Sequence, residues 1–316
     1  MNKAYYVVGI DGGGTKTHAV IATMEGVILT DFVGGPSNMQ ITGVEKTAET
    51  IFRLIVKCCK FAKCDFSQVA AVGCGLAGAG RGSDQARMKR GLEHYAASHK
   101  VKFKKIVINS DARTALEGAF DGAPGIILIA GTGSIAFGKD VQGDIHRVGG
   151  WGRYLDDEGS GYYIGKRAIA AVARYLDGLG RKTTLIRDLA VSFGLKDQSA
   201  IIDAVYRNNF DIASVAPLVL QGAEKKDPVC VEIVQRAVIA LSDHVRILTP
   251  RVLSADSTRK LTKVQLVFIG GLISHDTILA RLLKKYIQRH IPRVEIVHPM
   301  ASPAHGAVLL ALHAKK

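Results

Sequence analysis

The run Asp11-Gly12-Gly13-Gly14-Thr15-Lys16-Thr17 lies between two short β-prone stretches, Tyr5–Ile10 and Thr17–Thr23. Three glycines in succession let a hairpin backbone adopt φ > 0 and come close to a phosphate. Thr15 and Lys16 add a hydroxyl donor and a positive charge, and Asp11 at the strand end is placed to hold Mg²⁺ through water. A plain glycine-rich turn would use the same residues. A Walker loop is excluded, because the spacing before Gly-Lys-Ser/Thr is wrong and a strand follows rather than a helix. The chain therefore opens as strand, tight turn, strand.

A third strand, Val27–Val33, follows, and then strand and helix alternate. Val44, Ala48, Ile51, Phe52 and Ile55 recur at helical spacing in a helix predicted over 44–62. Val69–Cys74 reads as a strand, Asp84–Ser98 as a helix, Ile106–Asn109 as a strand and Ala112–Ala119 as a helix. A similar order restarts at residue 125, with strands over Gly125–Ala130, Ser134–Gly138 and Asp144–Val148. A long helical half runs from Gly159 to about Pro250, before strand Val264–Ile269, helix Asp276–His290, strand Arg293–Val297 and a last helix, Pro303–His313. Two copies of a related α/β core, the second with a helical insertion, is the simplest description. No Pro/Ser-rich linker separates them, so the expected division is 1–111 and 112–299, with the helix of about 300–316 packing back on the first domain.

The 316 residues carry 42 Lys+Arg against 28 Asp+Glu, a net charge of +14. The densest basic cluster, Lys100, Lys102, Lys104 and Lys105, leads into an apolar strand, while others such as Arg281, Lys284, Lys285 and Arg289 fall on helical faces. Aromatics make up 6% and do not interleave with the basic residues, so no stacking platform for nucleic acid is visible. The charge reads as a solvated basic surface that also suits an anionic small molecule. No run approaches the ~18 apolar residues of a membrane span. The short apolar start is a strand rather than a signal peptide, and five cysteines without framework spacing fit a reducing, cytoplasmic compartment. His94 and His99, or His298 and His305, lack metal-ligand spacing, so no protein-ligated structural metal is assigned.

A second glycine hairpin, Ala130-Gly131-Thr132-Gly133-Ser134, again joins two apolar strands. Two such turns at the head of two related halves are expected to face each other across a cleft and clamp a triphosphate. Between them a strand ends in Asn109-Ser110-Asp111-Ala112. A carboxylate there can accept the proton of a substrate hydroxyl during phosphoryl transfer, or simply cap the next helix. The chain's single tryptophan, Trp151, stands among Gly149, Gly150 and Gly152 and is followed by Asp156, Asp157 and Glu158 before a Gly-Ser-Gly helix entry. An apolar face with convergent polar groups suits carbohydrate, whereas a capping acid at Asp157 or Glu158 is the local alternative. Asn38 either bonds sugar hydroxyls or holds a turn. Gly270-Gly271, ending a strand, admits an adenine or ribose against the backbone or serves as a helix-entry turn.

In this order, Asp-Gly-Gly-Gly-Thr-Lys, Asn-Ser-Asp-Ala, Gly-Thr-Gly-Ser, Gly-Gly-Trp-Gly-x-x-x-Asp-Asp-Glu-Gly-Ser-Gly and a late Gly-Gly, the chain resembles the N-acetylglucosamine kinase group of the BadF/BadG/BcrA/BcrD ATPase family. The resemblance spans nearly the whole sequence. It implies an α/β protein of two actin-like (ribonuclease H-like) domains flanking a nucleotide and substrate cleft. It further implies a homodimeric kinase that uses ATP with Mg²⁺ to phosphorylate the 6-hydroxyl of N-acetylglucosamine or a related hexosamine or hexose. By resemblance, Gly12, Gly13, Gly14 and Thr15 bind phosphate and Asp111 is the base. Asn38, Thr132, Gly150, Trp151 and Asp157 line the amino-sugar site, and Ala213 touches the nucleotide. Lys16, Gly131, Gly133, Ser134, Gly270 and Gly271 complete the expected nucleotide contacts, and Glu158 the sugar loop. Asp156 departs from the pattern, which has Gly there. An extra carboxylate at that point can alter substrate choice.

Two other readings remain on the sequence. One is the activator ATPase of a 2-hydroxyacyl-CoA dehydratase or benzoyl-CoA reductase, which needs cysteines at a subunit interface for an iron–sulfur cluster. Cys58, Cys59, Cys64, Cys74 and Cys230 form no recognisable cluster motif. The other is a nucleotide-gated protein without catalysis, in which the sugar-loop residues would have no role.

Overall fold

A computed structural model describes residues 4–254 and 262–313, which pack as two units. The first comprises Met1–Ala123 with His298–Lys316 and the second Pro124–Val297. In the first, β1 (Tyr6–Gly12), β2 (Thr17–Thr23) and β3 (Ile28–Gly34) form an antiparallel meander. They lead through the short α1 (Met39–Thr42) to α2 (Val44–Ala62), β4 (Val69–Leu76), α3 (Gly82–Ser98), β5 (Ile106–Ser110) and α4 (Asp111–Ala119). The sheet order is β3-β2-β1-β4-β5, with β4 parallel to both β1 and β5.

The second unit repeats this topology. Strands β6 (Gly125–Ala130), β7 (Ser134–Lys139) and β8 (Ile145–Gly149) make the meander. Helices α5 (Gly161–Leu176), α6 (Leu185–Phe193), α7 (Gln198–Ile202), α8 (Ala216–Glu224) and α9 (Pro228–Ser254) follow, before β9 (Val264–Ile269), α10 (Ile278–His290) and β10 (Val294–Ile296). The order β8-β7-β6-β9-β10, with β9 parallel to both β6 and β10, matches the first sheet strand for strand. The last helix, α11 (Pro303–His313), belongs to the first unit.

Successive strand residues point to opposite faces, so a sheet covered on both sides needs apolar residues in both registers. Val8, Ile10, Ile21 and Val72 face α2 and α3, while Val7, Val20, Ala22 and Ala71 face Ala304, Val308 and Ala311 of α11. The α11 backbone comes so close that Gly9 and Gly73 lie under its carbonyls, and Gly306 lies against the Thr114 carbonyl of α4. The second core gathers β6, β7 and β9 with α5, α8, α9 and α10.

The helical half differs from its expected outline in three places. α9 runs on through Pro250 to Ser254, with Leu248, Thr249, Val252 and Leu253 buried around the proline. The lost backbone donor is outweighed by the packing of that face. α5 begins at Gly161 rather than Gly159, because Ser160 caps it by accepting from Tyr163 N. A π-helical turn, Asp203–Arg207, and a 3-10 turn, Ile212–Val215, interrupt the insertion.

Gly73→Ala would drive a Cβ into the Ala307 backbone carbonyl, and main chain cannot rotate aside. Overpacking of this kind costs about 1–3 kcal/mol. Gly73→Ala should lower the melting temperature clearly, and Gly80→Ala, which enters open space, should leave it within error.

Candidate functional site

In the first unit the Gly12–Lys16 turn links β1 to β2 and is closed by Gly13 N donating to Lys16 O at 3.0 Å. Gly14, Thr15 and Lys16 are exposed at its tip, while Gly12 and Thr17 are buried. The turn is fastened to the loop after β3. Thr17 Oγ1 donates to Gly35 O (2.6 Å) and accepts from Ser37 Oγ (2.7 Å), and Ser37 N donates to Gly13 O (3.0 Å). Ser37 Oγ occupies the space that a side chain on Gly12 would need. This holds Asn38 beside the turn. Its Oδ1 accepts from Gln40 N at 3.0 Å and caps α1, so Asn38 does hold a turn, and its amide Nδ2 remains as a donor.

Asp111 is the first residue of α4, but the cap is Ser110, whose hydroxyl accepts from Arg113 N at 3.1 Å. Asp111 is thereby released from the local role that its position suggests. One carboxylate oxygen accepts from Ala112 N (2.8 Å), and the side chain is exposed. Asp11, at the end of β1, feels its charge. Burial and then the Asp111 carboxylate push the Asp11 pKa up to about 6, against the opposing pull of His18 and Lys16. Two carboxylates this close repel until a cation or proton sits between them.

In the second unit the Gly131–Ser134 turn joins β6 to β7, with Thr132 exposed at its tip. Gly131 O and Thr132 O accept from Gly161 N (2.8 Å) and Tyr162 N (3.1 Å), the first two donors of α5. Asp157 lies beneath, buried and with a left-handed backbone (φ 62), and its Oδ1 accepts from Ser134 N at 3.1 Å. A Cβ on Gly133 would come within 2.9 Å of that oxygen. Ser134 Oγ also donates to Glu158 O (2.8 Å). Neither Asp157 nor Glu158 caps α5; the capping residue is Ser160. Ala213, in the 3-10 turn, meets Gly161 beside the Gly131 carbonyl, and the turn lies against the bare Gly165 of the same helix. Gly270, with φ 98, fits against Ala130 at the end of β6, and Gly271 faces open space. The expected phosphate and nucleotide residues of this unit therefore converge on one strand end.

Gly150 packs on Ile135 of β7, and Trp151 projects outward, 68% exposed, under the Arg147 guanidinium at 4.8 Å. Trp151, Asp156, Glu158 and the unexpected His244 line a cavity of about 620 Å³. Sequence reasoning missed Ser37, Ser110 and His244, because each acts through a contact that only the folded chain brings about. Of the five cysteines, Cys64 is half-buried and the other four are buried. Among the described residues no three His, Cys, Asp or Glu side chains gather as a metal group, and no helix is long and apolar enough to cross a membrane.

A five-stranded mixed sheet with an antiparallel meander, built twice and with a glycine turn at each first hairpin, defines the actin-like (ribonuclease H-like) ATPase fold. The chain belongs to the BadF/BadG/BcrA/BcrD ATPase family, which it matches over residues 8–311. It is 35% identical to the N-acetylmuramic acid/N-acetylglucosamine kinase of Clostridium acetobutylicum, over 97% of this chain and 98% of that one. It is 30% identical to the N-acetyl-D-glucosamine kinase of Dictyostelium discoideum over the full length of both. A solved structure from Chromobacterium violaceum that carries an N-acetylglucosamine kinase assignment superposes with a TM-score of 0.73 at 27% identity, covering 98% of this chain and 99% of that one.

The Asp11 carboxyl should titrate near 6 in metal-free protein, and Asp111→Asn should bring the midpoint down, as read by carboxyl ¹³C NMR. Since the native pKa exceeds the usual 3.8, ionising Asp11 costs stability as pH rises through this window, and the full cost holds above about 6. Asp11→Asn should therefore melt above wild type at pH 8 and close to it at pH 4.

Proposed function

We propose that this protein is an ATP-dependent kinase that transfers the γ-phosphate to the 6-hydroxyl of N-acetylglucosamine or a closely related hexosamine. The observation that carries this reading is Asp111, freed from helix capping by Ser110 and placed beside Asp11 and the Gly12–Lys16 turn. Membership of an ATPase family and full-length similarity to two amino-sugar kinases support it.

In this reading the free oxygen of Asp111 accepts the proton of the sugar hydroxyl as its oxygen attacks the γ-phosphorus, and ADP leaves. The Gly12–Gly14 backbone, Thr15 and Lys16 bind phosphate, and so does Gly131–Ser134, with Ala213, Gly270 and Gly271 on the nucleoside side. Asn38, Thr132, Gly150, Trp151, Asp157 and Glu158 form the sugar contacts, and Asp157 also fixes the second phosphate turn through Ser134 N. The Asp11–Asp111 carboxylate pair fits Mg²⁺, which when bound with ATP screens phosphate charge; Asp11 is the residue to hold it, through water.

ADP release measured over a sugar panel tests the assignment. N-acetylglucosamine or a near relative should stimulate turnover strongly, and sugar-independent ATP hydrolysis alone would point to an ATPase activator instead. Asp111→Asn should cut kcat by about 10²–10⁴-fold with an unchanged circular dichroism spectrum. Near-normal turnover in that variant would remove Asp111 from the mechanism.

A further inference from the structure

The consecutive acids Asp156 and Asp157 do different work. Asp157 reaches under the Gly133–Ser134 turn, whereas Asp156 lines the cavity beside Trp151. Asp156 closes the tryptophan loop on itself: its backbone N donates to Gly152 O at 2.9 Å, and its Oδ2 accepts from Trp151 N at 3.3 Å. That single long hydrogen bond leaves a carboxylate with most of its acceptor capacity unused.

His244, on α9, lines the same cavity and is otherwise buried. Its Nδ1 lies 2.9 Å from Ala240 O. A carbonyl can only accept, so Nδ1 carries the proton, and in the neutral ring Nε2 presents a lone pair. Nε2 and Asp156 Oδ2 both crowd the space above Gly149. A side chain there would collide with the ring nitrogen and sit 3.5 Å from the carboxylate oxygen. Gly149, at φ 79, is thus the gap through which two acceptors converge on one wall. The wall around them is apolar: Trp151, Leu155, Ile239 and Ile247 all line the cavity and are exposed. Paired acceptors beside uncovered apolar surface suit a group that offers a hydrogen-bond donor and carries an apolar extension.

We propose that Asp156 and His244 are specificity-determining residues of the acceptor site, receiving a hydrogen-bond donor borne by the C2 substituent of the sugar. The inference rests on the amino-sugar kinase reading above and adds the residues that select the substituent. Asp156 has a second, positioning part, because the same carboxylate holds the Trp151 backbone. Arg236, Asp243 and Glu158 stand at the edge of the cavity and set its field without sharing that contact.

The test uses the whole chain and four sugars: N-acetylglucosamine, glucosamine, glucose and 2-deoxyglucose, the last without a donor at C2. Asp156→Asn can still accept from Trp151 N but gives up one acceptor toward the cavity, and His244→Phe removes the Nε2 lone pair. Each should raise KM for N-acetylglucosamine about three- to tenfold, because the one acetamide N–H is shared between the two acceptors, with kcat little changed. KM for 2-deoxyglucose should move less than about twofold under the same reasoning. Trp151 is the only tryptophan, so its fluorescence reports the loop directly. Asp156→Asn should keep the sugar-free emission of wild type, and Asp156→Ala should shift it. If both selector variants leave the KM ratio between N-acetylglucosamine and 2-deoxyglucose at the wild-type value, the selector is overturned while the kinase reading stands. If wild type phosphorylates none of the four and its emission ignores them, the kinase reading falls and takes the selector with it.

Discussion

Close approach of backbone to its neighbours, permitted by missing side chains, is the constraint on which both halves of this protein rest. Ser37 Oγ fills the space over Gly12, and the Asp157 carboxylate fills the space over Gly133. Each glycine turn is therefore fixed from its buried side by a polar group from a distant loop. The tips, Gly14–Lys16 and Thr132, are exposed. A phosphate nest works by presenting donors whose positions are settled before the ligand arrives. On the proposed kinase reading, that settlement comes from hydrogen bonds at 2.6 to 3.1 Å to Thr17, Ser37 and Ser134.

The same economy explains the division of work among the acids. Ser110 and Ser160 take the capping positions of α4 and α5, so Asp111, Asp157 and Glu158 are not the capping residues of these helices. Asp111 uses one oxygen on Ala112 N, Asp157 props a turn, and Asp156 closes the tryptophan loop. Asp157 holds a left-handed backbone that a β-branched residue would resist, and conformations of this sort persist where surrounding contacts over-determine them.

Much of the fold could be read before the structure. The two glycine turns, the three-strand starts and the alternation of strand and helix all follow from local patterning, and the sheets appear where that patterning places them. Gly12–Lys16 and Gly131–Ser134 were recognisable because a turn is local in sequence. What local pattern cannot carry is side-chain direction. Asp156 and Asp157 are neighbours with similar chemistry, and only the packing of β7 and α9 separates their roles. His244 looks like any histidine on an amphipathic helix until Gly149 is brought beneath it. Pro250 is a helix breaker by its own chemistry, and burial of Leu248, Val252 and Leu253 carries α9 past it.

The return of α11 to the first sheet has a consequence for how the chain is made. One face of that sheet, with Val7, Val20, Ala22 and Ala71, is covered by Ala304, Val308 and Ala311, nearly the whole sequence away. A nascent first unit carries an apolar face with no partner until α11 has been released from the ribosome. The second unit, continuous in sequence from Pro124 to Val297, has all its own parts earlier. For these two units synthesis order and completion order are thus reversed, and the one made earlier is sealed later. During that interval its uncovered face is the surface most exposed to chaperones and to aggregation.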